Sequence, residues 1–212
     1  PLPLPGDLNS DEPESAPVLS PDGRYMVFVV GARGLGTDIW VCDLDRSGRA
    51  LEPRPLIGVN SSADELAPAF TTDGALLFAS NRPGGEGGLD LWRSDYDRGV
   101  FGKPEHLDGR GLNTPADETD PSAVPGSDAI LFASNRLTED EKSAQAPRQF
   151  DLYSAEPLPI RDDAKPDGRG VVWEVRALDE INTPYDERDP SLTVDGRALL
   201  FASDRGAAST GL

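Results

Sequence analysis

Residues 64–92 read DELAPAFTTDGALLFASNRPGGEGGLDLW. The stretch opens on the acidic pair Asp64-Glu65 and crosses a short apolar segment to an Asp-Gly turn at Asp73-Gly74. It continues as Leu76 to Ala79 and closes on Ser80-Asn81-Arg82, a glycine-rich loop and Asp90-Leu91-Trp92. A short run that is apolar at successive positions, without helical period and bounded by Gly, Asp and Asn, predicts a strand covered on both faces. The Asp-Gly pair ahead of it is the chemistry of a tight hairpin.

The same order of parts recurs across the chain, starting from Asn9, Asn60, Asn113 and Asn182. Each copy places a Pro eight residues after the Asn (Pro17, Pro68, Pro121, Pro190) and a Glu three residues before that Pro (Glu14, Glu65, Glu118, Glu187). An apolar run then ends in Phe28, Phe78, Phe132 or Phe201, followed by Arg33, Arg82, Arg136 or Arg205. Three copies finish on Asp, an aliphatic residue and an aromatic: Asp38-Ile39-Trp40, Asp90-Leu91-Trp92 and Asp151-Leu152-Tyr153. Successive copies begin 51, 53 and 69 residues apart, a spacing that suits a four-stranded propeller blade and exceeds most helical repeats.

The repeat predicts second strands at Tyr25 to Val30, Leu76 to Ala79, Ile130 to Ala133 and Ala198 to Ala202, with the four Phe residues buried between blades. Third strands are expected at Asp38 to Asp43, Asp90 to Asp95 and Asp151 to Ala155, and outer strands at Arg54 to Val59, Glu105 to Leu112 and Val171 to Ile181. The expected fold is all-β, a β-propeller of four-stranded antiparallel blades spanning 1–212, with about four repeats and incomplete first and last blades. The fourth repeat stops after its second strand. The chain is therefore expected to be part of a larger propeller, completed by the remainder of a parent chain or by self-association. Closure of a four-bladed ring by Pro1 to Leu8 is the alternative. Insertions at Leu137 to Gln149 and Pro157 to Gly170 account for the longest spacing and are expected to be exposed loops.

These motifs, with SPDGRYMVF at 20–28, DETDPSAVPGSDAILFASNR at 117–136 and DERDPSLTVDGRALLFASDR at 186–205, resemble the TolB-type, WD-like β-propeller repeat of periplasmic and outer-membrane-associated bacterial proteins. The resemblance covers nearly the whole chain. It implies a protein-binding scaffold, in some members beside a peptidoglycan-binding or protease domain, and a periplasmic or extracellular location in the cell envelope. The first copy departs from the others in two places. Pro13 stands where they have Asp64, Asp117 and Asp186, and Gly31-Ala32-Arg33 stands where they have Ser-Asn-Arg or Ser-Asp-Arg. A site with exact fourfold symmetry is not expected on that account.

Composition narrows the chemistry. With 38 Asp plus Glu against 20 Lys plus Arg, the formal charge is −18, which argues against nucleic acid or an anionic membrane as partner. No stretch approaches the ~20 apolar residues of a membrane-spanning helix. His106 is the one histidine, so a Ser-His-Asp triad would depend on it and a His-rich zinc site is excluded. No Gly-x-Ser-x-Gly elbow occurs. Cys42, the one cysteine, is expected to be a buried free thiol.

The acidic residues Glu14, Asp64, Glu65, Asp117, Glu118, Asp186 and Glu187 precede each innermost strand and could gather at one mouth of a central channel. There they could bind a basic peptide or Ca²⁺, which takes six to eight oxygen ligands; no other cofactor is expected. The competing reading is structural: the carboxylates accept backbone N–H bonds or pair with Arg82, Arg136 and Arg205, while Asn60, Asn113 and Asn182 cap turns. Asp43 to Gly48 and Asp95 to Gly99 lack the later ligands of a calcium loop and read as turns, and Gly84 to Gly88 reads as a flexible loop. The expected function is a non-catalytic protein-interaction scaffold. A carbohydrate-binding or carbohydrate-cleaving propeller, using channel carboxylates with Trp40, Trp92 and Tyr153, is one alternative. An accessory propeller of a peptidase or other enzyme is another.

Overall fold

The computed structural model describes residues 8, 10–97, 99–107, 111–137, 149–161 and 169–206. Residues 1–7 of the expected closing strand, Asn9, 138–148 of the first insertion and 162–168 of the second lie outside the described residues; 157–161 and 169–170, expected in an exposed loop, instead continue a paired hairpin ladder. Every described element is a strand. The first sheet pairs β1 (Glu14–Leu19), β2 (Tyr25–Gly31), β3 (Thr37–Leu44) and β4 (Ala50–Pro55) in chain order. The second pairs β5 (Glu65–Phe70), β6 (Leu76–Ser80), β7 (Asp90–Ser94) and, after the small hairpin of β8 (Tyr96–Asp97) and β9 (Val100–Phe101), β10 (Glu105–His106). The third contains β11 (Glu118–Ala123), β12 (Ile130–Ser134), β13 (Asp151–Arg161) and β14 (Arg169–Ala177). The last is the hairpin β15 (Glu187–Leu192) and β16 (Leu199–Ser203).

Alternation along the second strand of each sheet builds the core. In β6, Leu76 and Phe78 face the first sheet and join Tyr25, Val27 and Ile39 in one buried cluster, whereas Leu77 and Ala79 face the third sheet and join Ile130, Phe132 and Tyr153 in another. Cys42 is fully buried beside Met26 and Phe28 on the outer face of the first sheet, where Leu8 covers them; burial pushes its thiol above the ordinary value. The four Phe residues are thus not equivalent. Phe78 and Phe132 are buried between sheets, Phe28 is buried under Leu8, and Phe201 is only half-buried. The sheets follow one another around an arc, and among the described residues no ladder joins the last sheet to the first, so a closed propeller is not seen.

Each innermost strand carries the same irregularity. Between Leu66 and Ala69, β5 advances three residues while β6 advances from Ala79 to Leu77, so one extra residue bulges out. The breaks in β1, β11 and β15 fall at the same place. The cause is local. Pro17, Pro68, Pro121 and Pro190 have no N–H to give the ladder, and the preceding Ala16, Ala67, Asp120 and Asp189 take left-handed φ values of 48 to 52°. A bulge sharpens twist and re-aims side chains, here toward the axis that the four strands share.

Candidate functional site

The carboxylates of Glu65, Glu118 and Glu187 have no exposed surface. Glu65 accepts hydrogen bonds from Ser61 Oγ at 2.6 Å, Ser80 Oγ at 3.1 Å and Arg82 Nη2 at 2.8 Å. Glu118 repeats this with Thr114, Ser134 and Arg136, at 2.7, 2.8 and 3.2 Å. Glu187 does so with Thr183, Ser203 and Arg205, at 2.7, 2.7 and 3.0 Å. Each guanidinium also donates to a carbonyl of the incoming linker, at Val59, Leu112 or Ile181, and lies over the Phe of its own sheet. Removing one partner from the buried Glu65–Arg82 or Glu118–Arg136 pair costs about 3–5 kcal/mol, because the other charge is stranded, whereas the more exposed Arg205 makes the third pair weaker. The Ser or Thr following each repeat Asn (Ser10, Ser61, Thr114, Thr183) is a functional part of this latch that sequence reasoning missed, although its position is constant.

The aspartates of the acidic pairs reach the other way, into the preceding sheet. Asp64 accepts from the Gly34 amide at 3.1 Å, Asp117 from the Leu89 amide at 2.9 Å and Asp186 from the Phe150 amide at 2.8 Å. Their own amides donate to Asn81, Asn135 and Asp204 side chains. In the first copy Pro13 has no amide to donate and Ala32 has no acceptor, so the two departures match one another. Glu14 there takes hydrogen bonds from Ser10, and no arginine pairs with it among the described residues. Arg33 instead crosses to Asp117 of the third repeat, 3.2 Å away.

Asn60, Asn113 and Asn182 do more than cap turns. Asn60 Oδ1 accepts from the Ile39 amide at 3.0 Å and its Nδ2 donates to the Ile39 carbonyl at 2.9 Å, so the side chain stands in for a peptide on the edge of β3. Asn113 does the same at Leu91 and Asn182 at Leu152. These partners are the aliphatic residues of the Asp-aliphatic-aromatic triplets. The Gly84 to Gly88 loop approaches the linker into the third sheet closely. A Cβ on Gly87 would lie 2.5 Å from the Thr114 carbonyl oxygen, and Glu86 and Gly87 amides donate to Asp90. Asp45 accepts from the amides of Ser47 and Arg49, as a turn residue does.

Between the innermost strands lies an axial cavity of about 720 Å³. Its polar lining is uneven. The residue before the bulge proline is Ala in the first two sheets (Ala16, Ala67) and Asp in the last two (Asp120, Asp189). Arg188 Nε stands 3.3 Å from Asp120 Oδ2 and its guanidinium lies 3.9 Å from the Phe150 ring centre. Burial pushes the Asp120 carboxyl up; Arg188 opposes the shift and Asp189 adds to it. The Asp-Pro and Ala-Pro pairs were visible in the sequence, but nothing there showed that they face a common space. Trp92 and Tyr153 are 6% and 5% exposed, and Trp40 packs against the cluster around Phe28. The two buried rings therefore present no face to a sugar. Among the described residues no three Asp, Glu, His or Cys side chains converge to hold a metal ion.

A four-sheet arc with bulged, proline-containing inner strands around an axial cavity defines a propeller-type protein. A TolB from Acinetobacter baumannii is similar at 18% identity with a TM-score of 0.53, over 92% of this chain and 38% of that chain. A putative TolB from Agrobacterium tumefaciens aligns at 16% identity and a TM-score of 0.45, over 92% of this chain and 71% of that one. A puromycin hydrolase aligns at 16% and 0.39, over 90% and 33%. This chain thus spans well under half the length of the Acinetobacter protein. The fold is TolB-type and propeller-like, and the likeness speaks to fold alone. No family model and no curated protein matches the chain. Among the described residues no helix is long and apolar enough to cross a membrane.

Proposed function

We propose that this chain is a non-catalytic protein-interaction propeller segment, exported and associated with the cell envelope, whose axial cavity receives a segment of a partner protein. The observation that carries the reading is the cavity lining. Four bulged strands present left-handed backbone, proline rings and the charged set Arg33, Asp120, Arg188 and Asp189 to one space. Bulges beside a cavity re-aim side chains toward a ligand, and concave sites with a few convergent polar groups are the usual places of recognition. Glu65, Glu118 and Glu187 are assigned to holding the sheets, because their oxygens are buried and engaged. Glu14, Asp64, Asp117 and Asp186 are not among the described residues that line the cavity, so a binding role for them would be secondary to it.

Site-specific photo-crosslinking tests this. A crosslinking side chain placed at Ser122, in the cavity lining, should give one discrete protein adduct in the source cells. The same group at Arg54, exposed on the outer strand of the first sheet, should give none. Adducts from Arg54 alone would overturn the assignment.

A further inference from the structure

A groove of about 1020 Å³ separates the hairpin ends of the second and third sheets, and among the described residues only Ala123 borders both it and the axial cavity. Its far wall exists because the third sheet has an unusually long outer hairpin. β13 and β14 stay paired from Tyr153↔Ala177 to Arg161↔Arg169, whereas among the described residues β10 pairs with β7 at Glu105 and His106 alone. Side chains alternate across a ribbon, and Pro157, Val171 and Trp173 border the groove. The Trp173 ring packs on the buried cluster around Phe132, while Val171 is 42% exposed.

The rim is acidic. Arg93 is held by Asp73 and Asp95, both at 2.8 Å, so its charge is already answered. Glu105 and Asp128, on opposite sides, are exposed and have no ion-pair partner among the described residues. We propose that this groove binds an extended segment of a partner protein in which Lys or Arg residues alternate with aliphatic ones. The aliphatic side chains would bury against Pro157, Val171 and Trp173, and the cations would meet Glu105 and Asp128. An acidic or neutral polar segment would find no complementary charge. The inference is independent of the axial cavity and stands or falls separately from it.

The probes are three acetylated, amidated peptides: Lys-Leu-Lys-Leu-Lys and its Glu-Leu and Gln-Leu counterparts. Binding is followed by the ¹H–¹⁵N signal of the Trp173 indole and by fluorescence polarisation. The Lys-Leu peptide is expected to shift the Trp173 signal, with the Glu-Leu peptide silent. Glu105→Gln with Asp128→Asn should weaken binding roughly fivefold, as the loss of two exposed ion pairs implies. Val171→Ser, an exposed position that spares the core, should weaken it further. Asp22→Asn with Asp45→Asn, on the first sheet, controls for the overall negative charge, and Arg188→Gln controls for the axial cavity; neither should change the affinity. Equal binding of the Lys-Leu and Glu-Leu peptides would overturn the proposal. So would a loss in the first-sheet control as large as in the rim variant, or abolition of binding by Arg188→Gln.

Discussion

At the scale of single residues, Glu118 and Glu187 make a controlled comparison within one molecule. Both are fully buried and both accept from a Thr, a Ser and an Arg at matching positions. Burial is the largest influence on each, yet the outcomes differ. Glu118 lies between sheets, and burial pushes its carboxyl above the ordinary 4.5. Glu187 has no further sheet beyond it among the described residues. Burial pushes it up as well, but the hydrogen bonds from Thr183 and Ser203, with Arg205, outweigh that and hold it below 4.5. The two should therefore titrate on opposite sides of that value, as carboxyl ¹³C shifts would show; titration of both on the same side would contradict the difference in surroundings. The consequences for stability are opposite. Glu118 favours the folded state most below pH 4.5, and that contribution is lost as pH rises through its raised value. The contribution of Glu187 is present above 4.5 and is lost as pH falls through its lowered value.

At the scale of elements, the hairpins were legible because their signals are local. An Asp-Gly turn and a short apolar run lie within a few residues of one another, and β2, β6, β12 and β16 fall where the runs are. The bulges were not, since the same proline could have marked an edge strand or a strand end, and only the register against the neighbour reveals the extra residue. Nor was the glycine-rich loop legible, because its glycines answer to a backbone far along the chain. Gly87 approaches Thr114, Pro115 and Ala116, the linker that leads into the third sheet. Backbone at that distance cannot swing aside as a side chain could. Gly87→Ala is expected to lower stability by about 1–3 kcal/mol, the usual cost of overpacking, measured by urea unfolding. A change within 0.5 kcal/mol would mean that the loop gives way freely.

For the whole molecule, the repeat announced sheets in series, but the convergence of Asp120, Arg188 and Asp189 depends on how far each sheet rotates about the axis, which no stretch of sequence encodes by itself. The same curvature sets which apolar faces are covered. Leu131 and Leu200 occupy the same position in ILFAS and LLFAS, yet they are 6% and 64% exposed. Leu131→Ala should cost about 2–5 kcal/mol, as buried truncations do, and Leu200→Ala about 0.5 kcal/mol or less, again by urea unfolding. Equal losses would show that the face of the last hairpin is covered in solution. The matched departures at Pro13 and Ala32 bear on how such a chain can change. A donor and its acceptor are both missing from the first copy, 19 positions apart in the sequence, while Arg33, without a local glutamate partner, pairs with the distant Asp117. The copies are consequently no longer interchangeable parts. Transplanting Ser-Asn-Arg into the first repeat would bring an acceptor with nothing to receive and draw the arginine away from the third, so the unit that can be moved between copies is the bonded pair and not the motif.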